Sequence, residues 1–384
     1  MKGRVVPVRS LAEHELASWS ALARRSAEAN PLNERGVVLA AARHQTNGAD
    51  LQLALVEERG SMLAALPVVR APRLGNIVVP VLTTNIRRMT YLGTPLVDPD
   101  AGVTAATTLL RSLRGRTCPK DPGILVVQWL AEDGPVAGWL RAAAESLRCP
   151  VFVYEDFEQP FLERHADGTL TESTSKRHRK DYERRARRMS EELGARLELV
   201  DRADDPGAVT DFLAMEAAGY KTGNGVAMVT QDGEPAYFAE MCRTFAGDGR
   251  LHVLELRAGS RPVAMQISLR AADTLFLIKV AHDESLGRYD PGIQLHLRAV
   301  EFFRDRTDAA GLRVCTFADN ELLLRLYPDR RRVCTLVVGL GGPVDRALVR
   351  TLPAARSLSR GVRRGFADRR RVSTDRRRPP AVRR

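Results

Sequence analysis

The residues with the clearest chemical potential lie close together in the second half of the chain. Lys279 interrupts an apolar run from Leu275 to Val280, and the pair His282-Asp283 follows directly. A lysine in such a run is either a strand-end residue or a functional group, and a histidine beside a carboxylate can carry a proton. These side chains are candidates for orienting an anionic group and for accepting a proton.

A second chemical feature is the helix start at Asp290-Pro291-Gly292. Aspartate is a common N-cap residue, proline at the first helical position leaves no amide unpaired, and Ile293 begins the apolar face of the helix. The free amides at a helix start and the helix dipole both attract anions. The sequence therefore predicts a phosphate-binding helix start after the strand that carries Lys279.

Other catalytic arrangements are not indicated. Ser268 and the cysteines have no histidine at a readable spacing, and no GxSxG motif is present. The five cysteines are widely spaced without a CxxC pair, which favours buried thiols over a disulfide framework or a zinc site. No metal is expected.

Two strands must position these groups. Between Val263 and Leu269, apolar residues alternate with Ala264, Gln266 and Ser268, which predicts a half-buried strand. The run from Leu275 to Val280 is apolar almost throughout and predicts a central strand with both faces covered.

The segment 261–304 resembles the C-terminal half of GNAT-superfamily acyltransferases, in particular the CelD-like branch associated with cellulose and other exopolysaccharide biosynthesis. The family's tyrosine, aspartate and Ser-Pro-Gly helix start correspond here to His282-Asp283 and to the run from Tyr289 to Gly292. The resemblance implies that the two strands splay to admit the pantetheine arm of acyl-CoA, expected to be acetyl-CoA. It assigns the cofactor to Tyr289, Pro291, Gly292 and Ile293, with the pyrophosphate on the amides after Gly292.

Asp290 stands where that family has serine, and a carboxylate capping the same amides would compete with phosphate.

Two further segments carry the resemblance. Glu216 and Lys221 match the family's glutamate, two-residue spacer and Gly-Trp-Lys-Gly segment, with Tyr220 in place of the tryptophan, and Asp319 matches an aspartate after the next strand. The resemblance implies direct attack of an amine or hydroxyl on the thioester, without a covalent intermediate. Proton transfer is assigned to Glu216, Asp283 or His282, and the substrate contacts are assigned to Lys221, Gln266, Lys279 and Asp319.

The whole chain reads as alternating strands and helices, an α/β fold with a mixed, mostly antiparallel sheet flanked by helices. The hairpin sequences LALVEERGSMLAALPVV and LHVLELRAGSRPVAMQISL echo one another at a separation of about 200 residues. Together with the resemblance, the echo predicts two tandem GNAT-like domains, residues 1–158 without a working cofactor site and residues 159–345 as the acyltransferase domain. Residues 346–384 are predicted to be a disordered arginine-rich tail.

The charge is concentrated at the end of the chain. Of the net charge of +12, residues 351–384 supply +10, from twelve arginines and two aspartates. A basic helix at 176–188 adds a second cationic surface, which is either a solvated face or a contact for anions. The tail is a candidate for peripheral contact with an anionic membrane or RNA. Without a signal peptide or a long apolar run, a cytoplasmic location with contact at the inner membrane face is expected.

The function expected from these observations is N- or O-acylation of a sugar, a polysaccharide precursor or a related small acceptor by acetyl-CoA. One alternative with the same fold is a FemABX-like aminoacyltransferase that uses charged tRNA, which the basic helix and tail favour. Another is a non-catalytic protein that binds nucleic acid or an anionic surface, against which the nearly neutral body of the chain argues.

Overall fold

The computed structural model describes residues 1–84, 91–114, 122–171, 176–219, 227–316 and 320–353. The strands are β1 Lys2–Pro7, β2 Gln52–Glu58, β3 Ser61–Ala71, β4 Val81–Thr83, β5 Leu96–Val97, β6 Ile124–Ala131, β7 Val151–Glu163, β8 Leu197–Asp201, β9 Leu251–Ala258, β10 Arg261–Ala271, β11 Thr274–His282, β12 Gly311–Val314 and β13 Asp329–Gly339. The helices are α1 Glu13–Arg25, α2 Arg35–His44, α3 Gly102–Arg114, α4 Pro135–Ser146, α5 Lys176–Leu193, α6 Ala208–Ala218, α7 Glu234–Gly247, α8 Pro291–Arg306 and α9 Glu321–Leu326.

The two halves of the chain repeat one order of elements. Apart from β5, the first half runs β1-α1-α2-β2-β3-β4-α3-β6-α4-β7, and after α5 the second half runs β8-α6-α7-β9-β10-β11-α8-β12-α9-β13. The two echoed sequences form the equivalent hairpins β2-β3 and β9-β10. The predicted fold class, a tandem arrangement with a mixed sheet flanked by helices, is confirmed. The domain limits stay a prediction, and the boundary at 158/159 falls inside β7.

The halves are joined by an exchange of their last strands. The described strands form one sheet in the order β1-β2-β3-β4-β6-β13-β7-β12-β11-β10-β9-β8, with β5 beside β3. The last strand of the first half, β7, pairs with β12 of the second half, and β13 pairs with β6 of the first half. Each half therefore completes the sheet of the other.

We expect this exchange to make the chain unfold as one cooperative unit, because neither half keeps its sheet intact when the other unfolds. Calorimetry of the full chain should give a single transition whose van't Hoff enthalpy equals the calorimetric enthalpy. Two resolved transitions would show that the halves unfold independently and would contradict this reading.

Both faces of the second half-sheet are buried. Met265, Ile267 and Leu269 of β10 pack into one core with Phe212 of α6 and Phe238 of α7. On the opposite face, Ala264 packs against Leu295 and Ala299 of α8. The prediction of a half-buried strand is wrong for β10, because α8 covers the face with small and polar residues, where Gln266 and Ser268 are buried. The prediction that β11 is central and covered on both faces is confirmed.

A final helix spans residues 343–353 and buries Val349 and Leu352. Residues 346–353 are therefore helical where a disordered tail was predicted, because Val349 and Leu352 pack into the core. The rest of the tail lies outside the described residues, and its anionic partner stays a prediction. No helix in the described part of the chain is long and apolar enough to cross a membrane.

Candidate functional site

A cleft opens where two parallel strands separate. β11 and β12 pair from Thr274 and Gly311 to Leu277 and Val314, and the Cys315 amide donates the last hydrogen bond to the Leu277 carbonyl at 3.0 Å. Beyond that point β11 continues to its end paired only with β10, as far as the described residues show. The resulting cleft has a volume of about 410 Å³. Unpaired main-chain groups along this edge of β11 can bind an extended ligand as a strand would.

A β-bulge in β11 directs Lys279 to one face of the sheet. Ile267 of β10 lies opposite Lys279, and Ser268 lies opposite Leu277, so Ile278 is the extra residue. A bulge of this kind places two residues of one strand opposite one residue of its partner and increases the local twist. Lys279 therefore projects toward α6, and its long side chain also lines the cleft.

Lys279 forms an ion pair with Glu216 of α6. The Lys279 Nζ atom lies 3.2 Å from Glu216 Oε1, with side-chain exposures of 15% and 1%. The contact satisfies the distance for an ion pair but not the directionality of a hydrogen bond, and Oε1 makes no hydrogen bond. Glu216 Oε2 accepts a hydrogen bond from the Met228 amide at 3.0 Å. The carboxylate is thus held behind Lys279, and Lys279 is the member of the pair that lines the cleft.

The N-terminus of α8 closes the other end of the cleft. Pro291, Gly292 and Ile293 line it, and Gln294 is the first helical residue whose amide bonds back, to the Asp290 carbonyl at 3.0 Å. Within the described residues, the amides of Gly292 and Ile293 have no carbonyl partner. Two donors at the positive end of the helix dipole therefore point toward the cleft.

Asp290 occupies the predicted N-cap position, but its carboxylate does not cap the helix. The residue has a left-handed backbone, with φ 52° and ψ 57°, and its side chain forms an ion pair with Arg185 of α5. The predicted capping of the amides by this carboxylate is not formed, because the side chain pairs with Arg185 instead.

Two histidines border the same end of the cleft. A Cβ atom placed on Gly292 would lie 3.5 Å from Nδ1 of His282, so this imidazole packs against the helix start. His296 lies one turn further along α8, and its Nδ1 hydrogen-bonds the Tyr327 hydroxyl at 2.8 Å. Burial, with a smaller contribution from His282, lowers the pKa of His296 to about 4.

This depressed pKa predicts a loss of stability in acid. Because unfolding would let His296 return to a pKa near 6.5, its contribution is complete above about pH 6.5 and is lost as the pH falls toward 4. The loss should amount to about 3 kcal/mol. His296→Asn keeps an acceptor for Tyr327 without titrating, so denaturant unfolding between pH 7 and 4 should show a shallower decline for this variant. Parallel declines would contradict the assignment.

The structure brings only some of the predicted site residues together. Lys279, His282, Pro291, Gly292 and Ile293 line the cleft. Gln266 is buried in β10 with an unpaired Oε1, and it does not line the cleft. Lys221 and Asp319 lie outside the described residues.

Two predicted residues make contacts outside the cleft. Asp283 accepts hydrogen bonds from Ser285 and forms an ion pair with Arg261 at 2.6 Å. Burial alone would raise the pKa of Asp283, but these partners outweigh it and lower the pKa, which weakens this carboxylate as a base. The hydroxyl of Tyr289 donates to Glu192 of α5.

Sequence reasoning missed other residues that line the cleft. Tyr91 comes from the first half of the chain, and Cys315, Thr316 and Asn320 follow β12. No spacing in the sequence connects Tyr91 to the others. His296 could have been identified, because residues four apart on a helix share a face and Gly292 already marked that face.

The corresponding gap in the first half is closed. β4 and β6 are parallel neighbours like β11 and β12, but the chain returns between their ends. Gly93 donates to the Trp129 carbonyl at 3.2 Å, and the Thr84 hydroxyl accepts from the Gln128 amide at 2.9 Å. These bonds lie along β6, the counterpart of β12, just beyond its pairing with β4. The absence of a working cofactor site in the first half stays a prediction.

Comparisons with known proteins agree with this geometry. A family model described as an acetyltransferase (GNAT) domain matches residues 176–319, which include α5, the cleft strands and α8. No curated protein of similar sequence was found.

Several solved structures share the fold across both halves. FemX is 8% identical with a TM-score of 0.57, covering 88% of this chain and 97% of FemX. A domain assigned to a lysylphosphatidylglycerol synthetase of Agrobacterium fabrum is 10% identical with a TM-score of 0.54, covering 88% of this chain and 96% of that domain. A Bacteroides thetaiotaomicron protein of unknown function is 14% identical with a TM-score of 0.53, covering 85% of this chain and 98% of that protein. At these identities the likeness shows the fold alone.

Proposed function

We propose that this chain, an acyltransferase with a GNAT acetyltransferase domain at residues 176–319, transfers the acyl group of acetyl-CoA to an amine or hydroxyl of a small acceptor. The acceptor we expect is a sugar, a polysaccharide precursor or a related molecule, following the CelD-like resemblance. The observation that carries the proposal is the gap between β11 and β12, which ends at the two unpaired amides of Gly292 and Ile293.

Successive parts of the cleft can be assigned to the pyrophosphate, the pantetheine arm and the thioester of acyl-CoA. The pyrophosphate would accept hydrogen bonds from the Gly292 and Ile293 amides, and His282 beside Gly292 could donate another. The pantetheine arm would extend along the open edge of β11, whose bulge widens the separation from β12. The thioester would then lie toward the closed end of the cleft, where Leu277 and Cys315 make the last strand hydrogen bond.

Among the described residues that line the cleft, Lys279 is the charged group nearest to the place where we expect the reaction. The acceptor nitrogen or oxygen forms a bond to the thioester carbonyl carbon, the carbon–sulfur bond breaks, and the coenzyme A thiol leaves with the acceptor's proton. The Lys279 ammonium would stabilise the negative charge that develops on the carbonyl oxygen. Glu216 would keep Lys279 in position, and it could take part in proton transfer only through Lys279, because its own side chain is 1% exposed.

A second candidate is aminoacyl transfer from charged tRNA. The exposed arginines of α5 favour it. Arg184 and Arg187 pair with acidic residues of the same helix, Arg188 is exposed, and Arg185 contacts the start of α8 through Asp290. The likeness to FemX supports only the shared fold. We also propose that the arginine-rich tail contacts an anionic membrane or RNA. A location at the inner membrane face is part of this proposal.

The test is a transfer assay with two donors. The full chain is incubated with labelled acetyl-CoA or with tRNA carrying a labelled amino acid, each with a panel of amino sugars, sugar nucleotides and free sugars. We expect label from acetyl-CoA to appear on an acceptor, together with free coenzyme A thiol. Transfer from tRNA alone would replace the first proposal by the second.

A further inference from the structure

A second cavity lies on the sheet between the two halves of the chain. Its volume is about 660 Å³, which is within the range of small-molecule sites. It is bounded by the end of α1, by the turn before α4, by the first residues of β11 and by Arg313 of β12. Arg313 is two residues before Cys315, so the cavity and the cleft lie about 7 Å apart along β12.

Arg313 is a buried cation that has no partner among the described residues. The residue is 8% exposed, and among the described residues no hydrogen bond acceptor or carboxylate pairs with its guanidinium. Burial lowers its pKa, with Glu28 and Asp133 acting in the opposite direction from beyond ion-pair distance. Burying a charge costs free energy unless the charge is paired. The described part of the chain supplies no partner for the Arg313 guanidinium, which can therefore still bind an anionic group.

The other charged groups of the cavity already have partners. Arg331 lies over the Phe161 ring at 4.3 Å and reaches Glu163 at 3.4 Å. Glu28 accepts a hydrogen bond from the Val136 amide at 2.8 Å, and Asp133 accepts one from the Arg332 amide at 2.7 Å.

The cavity as a whole carries charges of both signs. Two guanidinium groups face three carboxylates, because Asp273 also lines the wall. A phosphate dianion would meet Arg313 but would be repelled by the carboxylates. A ligand with one carboxylate and one ammonium group satisfies both signs, since each carboxylate retains acceptor capacity after one hydrogen bond.

We infer that this cavity binds a small zwitterion of the amino acid class, whose carboxylate pairs with Arg313 and whose ammonium group lies toward Glu28 and Asp133. The site is separate from the acyl-CoA cleft, and its occupation does not depend on the function proposed above. Its place between the halves would let the ligand bridge elements of both.

The inference is tested by thermal unfolding of the full chain without acetyl-CoA. Each of the twenty free amino acids is added at about 10 mM, alongside its carboxamide, which keeps the ammonium group but lacks the carboxylate. We expect at least one amino acid to raise Tm by about 2 °C or more while its carboxamide does not. No shift from any amino acid, or equal shifts from acid and carboxamide, would overturn the inference.

Arg313→Met separates binding from structure. Because it removes an unpaired buried charge, we expect its Tm without ligand to equal or exceed that of the natural chain, and its response to the amino acid to be lost. Arg313→Lys, which keeps the charge on a different head group, should respond with weaker affinity, and the exposed Arg306→Met should respond as the natural chain does. A preserved response would show that Arg313 does not serve this site, and a lower Tm for Arg313→Met without ligand would show that its charge is already compensated within the protein.

Discussion

Replacing Gly292 by aspartate is expected to weaken acetyl-CoA binding by about 100-fold or more, which corresponds to roughly 2.7 kcal/mol. The new carboxylate would sit in the first turn of α8, where it competes with the pyrophosphate for the amides of Gly292 and Ile293 and repels its charge. Titration calorimetry with acetyl-CoA measures the change directly.

The same substitution should not harm the fold, which makes the result specific. An acidic residue near a helix N-terminus is usually stabilising by about 0.3–1 kcal/mol, so the variant should unfold at the same temperature as the natural chain or slightly higher. Gly292→Ala is the matched control. Its Cβ would lie at an ordinary contact distance of 3.5 Å from His282, and it should bind acetyl-CoA within a few-fold of the natural affinity. Undiminished binding by Gly292→Asp would place the pyrophosphate elsewhere.

Lys279→Met should have the largest combined effect on activity and stability. It removes the cation that we assign to the developing oxyanion, a loss usually worth about 10²–10³-fold in turnover. It also leaves the Glu216 carboxylate buried and unpaired, which typically costs about 3–5 kcal/mol of unfolding free energy. Steady-state kinetics with acetyl-CoA and denaturant unfolding measure the two effects separately.

A double variant distinguishes catalysis from packing. Adding Glu216→Gln to Lys279→Met removes the unpaired charge while an amide oxygen still accepts from the Met228 amide, so most of the lost stability should return. Turnover should stay low, because Lys279 is still absent. Lys2→Met makes the same chemical change at an exposed position and should alter neither quantity. Recovery of turnover along with stability would reduce Lys279 to a structural role.

The sequence predicted the parts of the fold that depend on local pattern. The helix start at Pro291, the central strand β11 and the two equivalent hairpins all follow from periodicity and turn residues over short segments. The exchange of β7 and β13 could not be predicted in this way, since strand order depends on contacts between residues far apart in the chain.

The residues of the site divide in the same way, into those that the sequence could identify locally and those that only the fold brings together. Lys279 was identified because it interrupts an apolar strand, and Gly292 because it opens a helix that resembles the helix start of the family. The pairing of Lys279 with Glu216 was not, since it requires the bulge at Ile278 and the placement of α6 on that face. Arg313 was missed for a related reason, because an arginine in a short strand reads as exposed until the neighbouring half of the chain is seen to cover it.

The most direct test of the proposed cofactor site is a crystal structure of the full chain with acetyl-CoA or a non-hydrolysable analogue. We expect the pyrophosphate on the amides of Gly292 and Ile293, the pantetheine arm between β11 and β12, and the thioester oxygen within hydrogen-bond distance of Lys279 Nζ. A cofactor bound outside this cleft, or a thioester remote from Lys279, would contradict it.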